Sequence, residues 1–422
     1  MHILFIHRAF PAQFGRLALE LTKRYGWKCS FLIDHISRCP EPSQEMLSRL
    51  ELHQIPLASA FRSQKNLPWA QRFGHYLELC KAGFEALRAI PDLRPDLVVG
   101  HAGLAPTLFL PGLLHCPIIN YCEYYFARQH RDLTYRIDLP PAEPAPFFPR
   151  CINAATLASL IACDAGYAPT QWQRRSFPQR FWPKIEVHFD GIDTDLYRPR
   201  RSNLVVNGQP IAPATRVVTF VARGLESVRG FDLFMKVAQR LGRARSDLLF
   251  IVAGDEETYY GWDLLHTGAP SFKQWVLSQG DYDLSRFIFL GHIEPARLAE
   301  ILCRSDLHLY LTVPFVLSWS LLNAMACACV VLGSDVDPVR EVISPGLSGL
   351  LEPLFDTERL AETALRVLDD PGSYRPLGQA ARALVEEKYG LDVCIPELKN
   401  YFERVTQTAR VGFPMRLAQA VH

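Results

Sequence analysis

The chain has 422 residues, 49% of them hydrophobic and 21% charged, with a formal net charge of +1. That length accommodates two domains at roughly 150 to 200 residues each, and the near-neutral balance excludes the broad basic surface that nucleic-acid binding uses. The eleven cysteines contain no CxxC pair and no Cys/His zinc spacing, so no metal is expected and they read as buried or free thiols.

Met1 leads straight into the apolar run His2 to Ile6, which leaves no room for a signal peptide. No apolar run reaches the roughly 18 residues of a spanning helix. The expectation is a cytoplasmic protein without a transmembrane segment. His2 to Ile6 reads as a central parallel strand, the loop His7 to Gly15 as a bend that shapes a cleft, Arg16 to Arg24 as an amphipathic helix and Cys29 to Ile33 as the next strand. This is the opening of a Rossmann-like domain. Its first loop lacks GxGxxG, so no dinucleotide is expected there.

Residues 38 to 70, rich in Pro, Ser and Gln, read as an irregular excursion, and Trp69 to Ala89 as one long amphipathic helix. Two strands follow, Asp96 to His101 and Pro117 to Tyr121, and they deliver His101 and Glu123 to neighbouring strand ends. The proline-rich run Asp138 to Pro149 reads as a loop or lid, Arg150 to Ile161 as a helix, and Ala165 to Pro169 as a strand leading into a helix start at Thr170. Ile185 to His188 is a short strand. The polar stretch 198–215 reads as a linker.

After it the pattern restarts: strands at Arg216 to Ala222, Leu248 to Ala253, Phe287 to Leu290 and Leu307 to Leu311, with helices at Phe231 to Leu241 and Pro295 to Cys303. The run Leu309 to Ile343 is strand, turn broken by Pro314, helix opened near Ser318, and second buried strand Val330 to Leu332. In an open α/β sheet, ligands bind at the carboxyl ends of the strands, where the N–H groups of a helix start hold anions. An anion site is therefore expected near Val316 to Ser320. The predicted fold is α/β, two doubly wound domains facing a cleft: 1–197, a linker at 198–215, 216–390, and a helical end at 391–422 that returns toward the first domain.

These residues resemble a known family, the retaining, nucleotide-sugar-dependent glycosyltransferases of the GT-B fold, family 4 or group 1. The resemblance runs through His7-Arg8-Ala9-Phe10-Pro11-Ala12-Gln13-Phe14, Gly100-His101 with Thr107 to Leu110, Asp190-Gly191-Ile192-Asp193, Val221-Ala222-Arg223-Gly224-Leu225-Glu226 through Arg229-Gly230, Phe289-Leu290-Gly291, and the stretch containing Phe315-Val316-Leu317-Ser318-Trp319-Ser320. The last wording is that of a bacterial subgroup. The resemblance implies a nucleotide-sugar donor gripped at its diphosphate by Arg223 and Arg229, which also stabilise the charge that grows on the leaving group. It implies base reading by the loop Gly291-His292-Ile293, and further donor contacts from Val316, Leu317, Ser318, Trp319, Asn323 and Glu341. His101 and Glu123 fall where the family's first domain presents groups to sugar and acceptor, with Phe14 and Gly15 in the acceptor-side loop.

Two departures stand out. Where many members carry two glutamates eight apart, this chain has Phe315 and Asn323, so the carboxylate expected on the donor ribose becomes an amide with weaker hydrogen bonds. Ala328 stands where a Gly is usual after the helix. Two readings follow. The first is an active transferase for surface polysaccharide, glycolipid or glycoside synthesis, metal-independent and without cofactor, acting on a carbohydrate or lipid-linked acceptor, the latter bringing peripheral contact with the inner face of a membrane. The second is a catalytically weakened GT-B scaffold that binds a sugar nucleotide or a partner transferase.

Overall fold

The computed structural model describes residues 1–37, 42–55, 69–126, 132–139, 147–200, 204–206, 208–260 and 263–419. The chain divides into two compact units. The first comprises Met1–Phe126, Pro144–Gly191 and Cys394–His422, the second Ala127–Glu143 and Ile192–Val393.

In the first unit the elements run β1 (His2–Ile6), β2 (Ala9–Phe10), α1 (Gly15–Tyr25), β3 (Lys28–Ile33), β4 (His35–Ile36), α2 (Gln44–Arg49), β5 (Glu51–Gln54), α3 (Trp69–Arg88), β6 (Leu97–His101), β7 (Ile118–Tyr121), α4 (Phe148–Ala162), β8 (Ala165–Ala168), α5 (Gln171–Ser176) and β9 (Ile185–Val187). Seven strands form one parallel sheet in the order β5-β3-β1-β6-β7-β8-β9. The central strands are apolar along their whole length because helices cover both faces: Ile3, Leu4, Phe5 and Ile6 are fully buried. α1 starts at Gly15 because an added Cβ there would lie 2.2 Å from the Pro11 Cβ, so only glycine lets the helix approach the preceding loop this closely.

Two expectations change here. Within the stretch 38–70, Ser43 caps a short helix, accepting from the Met46 N–H at 3.2 Å, and Glu51–Gln54 adds an edge strand beside β3. Its polar composition hid it because an edge strand is buried on one side only. Residues 38–41 and 56–68 lie outside the described residues. Helix α4 begins at Phe148, two residues earlier than expected, since Pro149 in its first turn has no N–H that the helix would have to satisfy. Of the expected loop or lid, 140–146 lies outside the described residues.

The second unit contains β10 (Val205–Val206), β11 (Gln209–Pro210), β12 (Arg216–Gly224), α6 (Phe231–Ala244), β13 (Leu248–Asp255), α7 (Asp263–Thr267), α8 (Phe272–Ser278), β14 (Phe287–Phe289), α9 (Pro295–Arg304), β15 (Leu307–Tyr310), α10 (Trp319–Ala326), β16 (Val331–Ser334), α11 (Asp337–Arg340), β17 (Leu350–Glu352), α12 (Thr357–Asp369), α13 (Pro371–Lys388) and the first turn of α14 (Leu391–Gln419). Six strands form a second parallel sheet, β14-β13-β12-β15-β16-β17. The stretch read as a linker carries the antiparallel pair β10 and β11, and Leu204 and Val206 are buried against Val217, Ile251 and Ile301. From Cys394 onward α14 groups with the first unit, where the Tyr401 hydroxyl donates to the Gly166 carbonyl oxygen at 2.8 Å.

Ala328 adopts φ 58°, a left-handed conformation that costs a residue with a Cβ roughly 1 to 2 kcal/mol. The turn that a glycine would make after α10 is thus made by alanine. The conformation is held in place by the close packing of Gly378 on α13, where an added Cβ would lie 2.2 Å from the Ala328 carbonyl oxygen.

Candidate functional site

In each sheet the strand order reverses beside the first strand, and such a switch point opens a crevice at the carboxyl ends. In the second unit the reversal falls at β12, between β13 and β15. Arg223 is the penultimate residue of β12, and the chain then turns through a single 3₁₀ turn, Ser227–Arg229, into α6. Gly230, at φ 65°, joins turn to helix and lies so close to Leu311 that a Cβ would come within 2.7 Å of its side chain. Only glycine satisfies both demands.

This turn is knitted to the end of β15. Val313 N–H donates to the Val228 carbonyl oxygen at 3.0 Å, and the Thr312 hydroxyl donates to the same oxygen at 3.2 Å. Ser334, at the end of β16, accepts from Thr312 N–H and donates to the Thr312 carbonyl oxygen. Arg229 is 5% exposed, and its Nη1 donates to the Val316 carbonyl oxygen at 2.9 Å and to Thr312 Oγ1 at 3.3 Å. The guanidinium also lies over the rings of Tyr260 and Phe315, an arrangement that strengthens as water is excluded.

Arg223 differs. It is exposed, donates to the Tyr260 hydroxyl at 3.3 Å and sits 4.2 Å from the centre of the Tyr259 ring. The two tyrosines are held by Glu226, fully buried, whose Oε2 accepts both their backbone N–H groups at 3.1 and 2.9 Å. Tyr259, Tyr260 and Glu226 thus complete the surroundings of the arginine pair. The readable signal for them is an aromatic pair just after a strand, with the buried acid two residues beyond the arginine-bearing one.

Helix α10 begins as expected. Ser318 is its N-cap, accepting from Ser320 N–H at 3.3 Å, and Ser318 N–H donates to the Tyr310 hydroxyl at 3.0 Å. Arg229, Tyr310, Ser318 and Ser320 line one small pocket at this switch point. Burial pushes the Tyr310 phenol up, with the nearby Arg229 charge opposing, so the hydroxyl that accepts from Ser318 N–H stays neutral. Val316 and Leu317 are buried and contribute backbone, while Trp319 is exposed.

The remaining expected donor residues are spread wider. Gly291 turns at φ 63° after β14, His292 is exposed, and the half-buried Ile293 side chain packs against the hydrophobic cluster of Leu204 and Val206. Asn323 is half-buried on α10. Glu341 is an exposed residue capping α11.

Three Asp-x-Asp pairs occur in the second unit, at 193/195, 281/283 and 335/337. Asp193 accepts the N–H groups of Asp195 and Leu196, Asp283 pairs with Arg286, and Asp335 pairs with Arg340. Among the described residues no group of three or more His, Cys, Asp or Glu could hold a metal ion.

In the first unit the reversal falls at β1, between β3 and β6. His7 leaves the end of β1 and His101 ends β6, their rings 5.7 Å apart. His101 is 5% exposed, its Nε2 3.4 Å from Glu123 Oε2. The structure therefore brings His101 and Glu123 together. Phe14 is fully buried and packs edge-on against His7 and Tyr121, so it shapes the loop from beneath. Burial, then the neighbouring His101, lowers the His7 pKa to about 3, which keeps the ring neutral.

Asp190 completes this cluster. Gln13 Nε2 donates to its Oδ2 at 2.6 Å, and burial, reinforced by the charge of Glu123, raises its carboxyl to about 8. The first unit thus holds a neutral acid, a neutral histidine, a histidine and a carboxylate residue in one crevice. His7, Gln13 and Asp190 belong to motifs legible in the sequence, but separations as long as 177 residues conceal their meeting. Among the described residues no helix is long and apolar enough to cross a membrane.

Comparison with known proteins agrees with the two-unit organisation. A family model described as Glycosyl transferase family 4 group matches residues 44–197, and one described as Glycosyl transferases group 1 matches residues 207–384. A 127-residue stretch is 32% identical to N-acetyl-alpha-D-glucosaminyl L-malate synthase of Bacillus anthracis, covering 30% of this chain and 33% of that protein, so the chain spans about a third of that relative. Among solved structures, sucrose-phosphate synthase from Thermosynechococcus elongatus aligns over 96% of this chain and 99% of its own, with TM-score 0.70 and 17% identity. Anabaena Alr3699/HepE in complex with UDP and glucose aligns over 96% and 100%, with TM-score 0.69 and 14% identity. At these identities the structural likeness speaks for the fold. The two glycosyltransferase models thus match in sequence order, one on each parallel-sheet unit, and the likeness to the solved structures shows the two-domain GT-B fold.

Proposed function

We propose that the chain is a retaining glycosyltransferase that moves a sugar from a nucleotide-sugar donor to a hydroxyl on a carbohydrate or lipid-linked acceptor. The observation that carries this reading is the second unit's switch point, where Arg229 and the Ser318-led start of α10 line one small pocket and Arg223 shares the Tyr260 ring with Arg229. A leaving nucleoside diphosphate needs cationic and N–H donors fixed before the bond breaks, because preorganised groups cost no rearrangement as charge develops. Arg229, tied to backbone, supplies a fixed charge. Arg223, exposed and stacked on Tyr259, supplies one that can adjust to a ligand.

As the bond from the sugar to the diphosphate oxygen lengthens, the acceptor oxygen bonds to the same face of the sugar and its proton passes to the departing phosphate. The loop at Gly291 would meet the base, and Asn323 the ribose. Glu341 would close the diphosphate pocket. The first unit's His101 and Glu123 would receive the sugar and acceptor hydroxyls. Similarity to a structure described with UDP and glucose supports a uridine nucleotide as the first donor to try.

A second reading, a GT-B scaffold that binds a sugar nucleotide without transferring, draws on Asn323, which lacks the charge of a carboxylate at the expected ribose position. The test is release of nucleoside diphosphate from a panel of UDP-, GDP- and ADP-sugars with pooled sugar acceptors, wild type against Arg223→Ala. Transfer is expected from one donor class in the wild type alone. Nucleotide-sugar binding with no release across the panel would favour the scaffold.

A further inference from the structure

One aromatic ring lies between the two arginines of the second unit. Beyond the end of β13 the chain folds back toward Glu226, whose buried carboxylate takes the Tyr260 N–H at 2.9 Å, while the neighbouring Tyr259 hydroxyl donates to Asp255 Oδ2 at 2.8 Å. On its other side the Tyr260 ring meets the Phe315 ring edge-on, centres 5.2 Å apart. Backbone hydrogen bonding and ring packing together thus fix where this phenol stands. Arg229 lies 5.4 Å from the centre of its ring and Arg223 6.0 Å, and Arg223 Nη1 donates to its hydroxyl oxygen at 3.3 Å. Two like charges are therefore held against a single half-buried side chain, whose π-face and oxygen moderate their repulsion.

We propose that the Tyr260 hydroxyl is a third donor to the leaving nucleoside diphosphate, beside the two guanidinium groups; this rests on the reading of the second unit's switch point as the donor site. An anion that reaches both arginines lies against the ring they share. A phenol oxygen has lone pairs to accept from Arg223 and one O–H of its own to give. Toward a phosphate oxygen that O–H makes a charge-assisted bond, which strengthens as negative charge collects on the leaving group. The proton stays on the phenol oxygen throughout, so no covalent bond of Tyr260 forms or breaks. The ring has the separate task of spacing the two cations, and a phenylalanine would perform that task equally.

Removing the oxygen alone separates the two tasks. UDP, GDP and ADP are titrated calorimetrically into the full chain as wild type, Tyr260→Phe, Arg223→Ala and the double variant, with thermal unfolding of each. The diphosphate that binds the wild type should bind Tyr260→Phe roughly tenfold more weakly or worse, at an unchanged melting temperature. Tyr260→Phe should weaken binding again in the Arg223→Ala background, because the hydroxyl meets the ligand itself. Three results would overturn the proposal while leaving the donor site in place: wild-type affinity in Tyr260→Phe, a melting temperature that falls together with the affinity, or no further loss in the Arg223→Ala background, which would make Tyr260 only a support for Arg223. Failure of all three diphosphates to bind the wild type is a different result, since it removes the donor-site reading and the proposal with it.

Discussion

Arg229 Nη1 donates to the carbonyl oxygen of Val316 at 2.9 Å, joining the turn after β12 to the loop that enters α10. Arg223, six residues earlier, is exposed and leans on tyrosine rings. The two cations should therefore fail differently. Arg229→Ala leaves buried acceptors unpaired and should cost about 1 to 3 kcal/mol of stability, whereas Arg223→Ala should stay within about 0.5 kcal/mol of wild type. Both should lose transfer. Urea denaturation beside turnover checks the pair, and equal stability losses would contradict the difference in anchoring.

Ala328 occupies the left-handed region at φ 58°. Ala328→Gly should stabilise the protein by about 1 kcal/mol, because the Cβ penalty disappears while the extra chain entropy of glycine takes back part of it. A melting temperature at or below that of wild type would show that the turn is relaxed with alanine.

Asp190 carries a carboxyl raised to about 8, from an ordinary value of 3.8. The folded state binds this proton more tightly than the unfolded chain, so the contribution is fully present below pH 4 and is lost as the pH rises through 8. Asp190→Asn keeps the shape and the Gln13 neighbour without the titration. Stability of the wild type relative to this variant should fall steadily between pH 4 and pH 8. A constant difference across that window would mean that Asp190 is ionised in the folded protein.

Asn323 is half-buried, so an introduced carboxylate there keeps partial access to water. Asn323→Glu should tighten nucleotide binding by about 1 kcal/mol through a charge-assisted bond to ribose, at nearly unchanged stability. Destabilisation without tighter binding would place the residue outside the nucleotide site and favour the scaffold reading.

Most of the parallel strands were legible because burial on both faces makes each a continuous apolar run, and their bounds differ from the sequence reading by at most two residues, as at Leu307–Tyr310, whereas the edge strand Leu350–Glu352 was not read. The start of α10 was legible from Ser318, whose hydroxyl caps it. The strand Glu51–Gln54 was not, since its solvent-facing composition carries no apolar run. The same logic divides the sites. Arg223 and Arg229 stand close in sequence to the strand that positions them, and His101 and Glu123 end neighbouring strands. Asp190 meets Gln13 across 177 positions, and Glu226 acts through the backbone of Tyr259 and Tyr260. Such partners emerge only once the chain is folded, because nothing in local spacing encodes them.

The central claim is that the second unit holds a nucleoside diphosphate through its paired arginines. Calorimetric titration of UDP, GDP and ADP into the wild type and Arg223→Ala tests it most directly, with thermal unfolding of the same samples. One diphosphate should bind the wild type, add roughly 2.7 kcal/mol of stability at about 100 times its dissociation constant, and bind Arg223→Ala more weakly by about 1.5 to 3 kcal/mol. Absence of binding for all three at millimolar concentration, or equal affinity in both proteins, would contradict it.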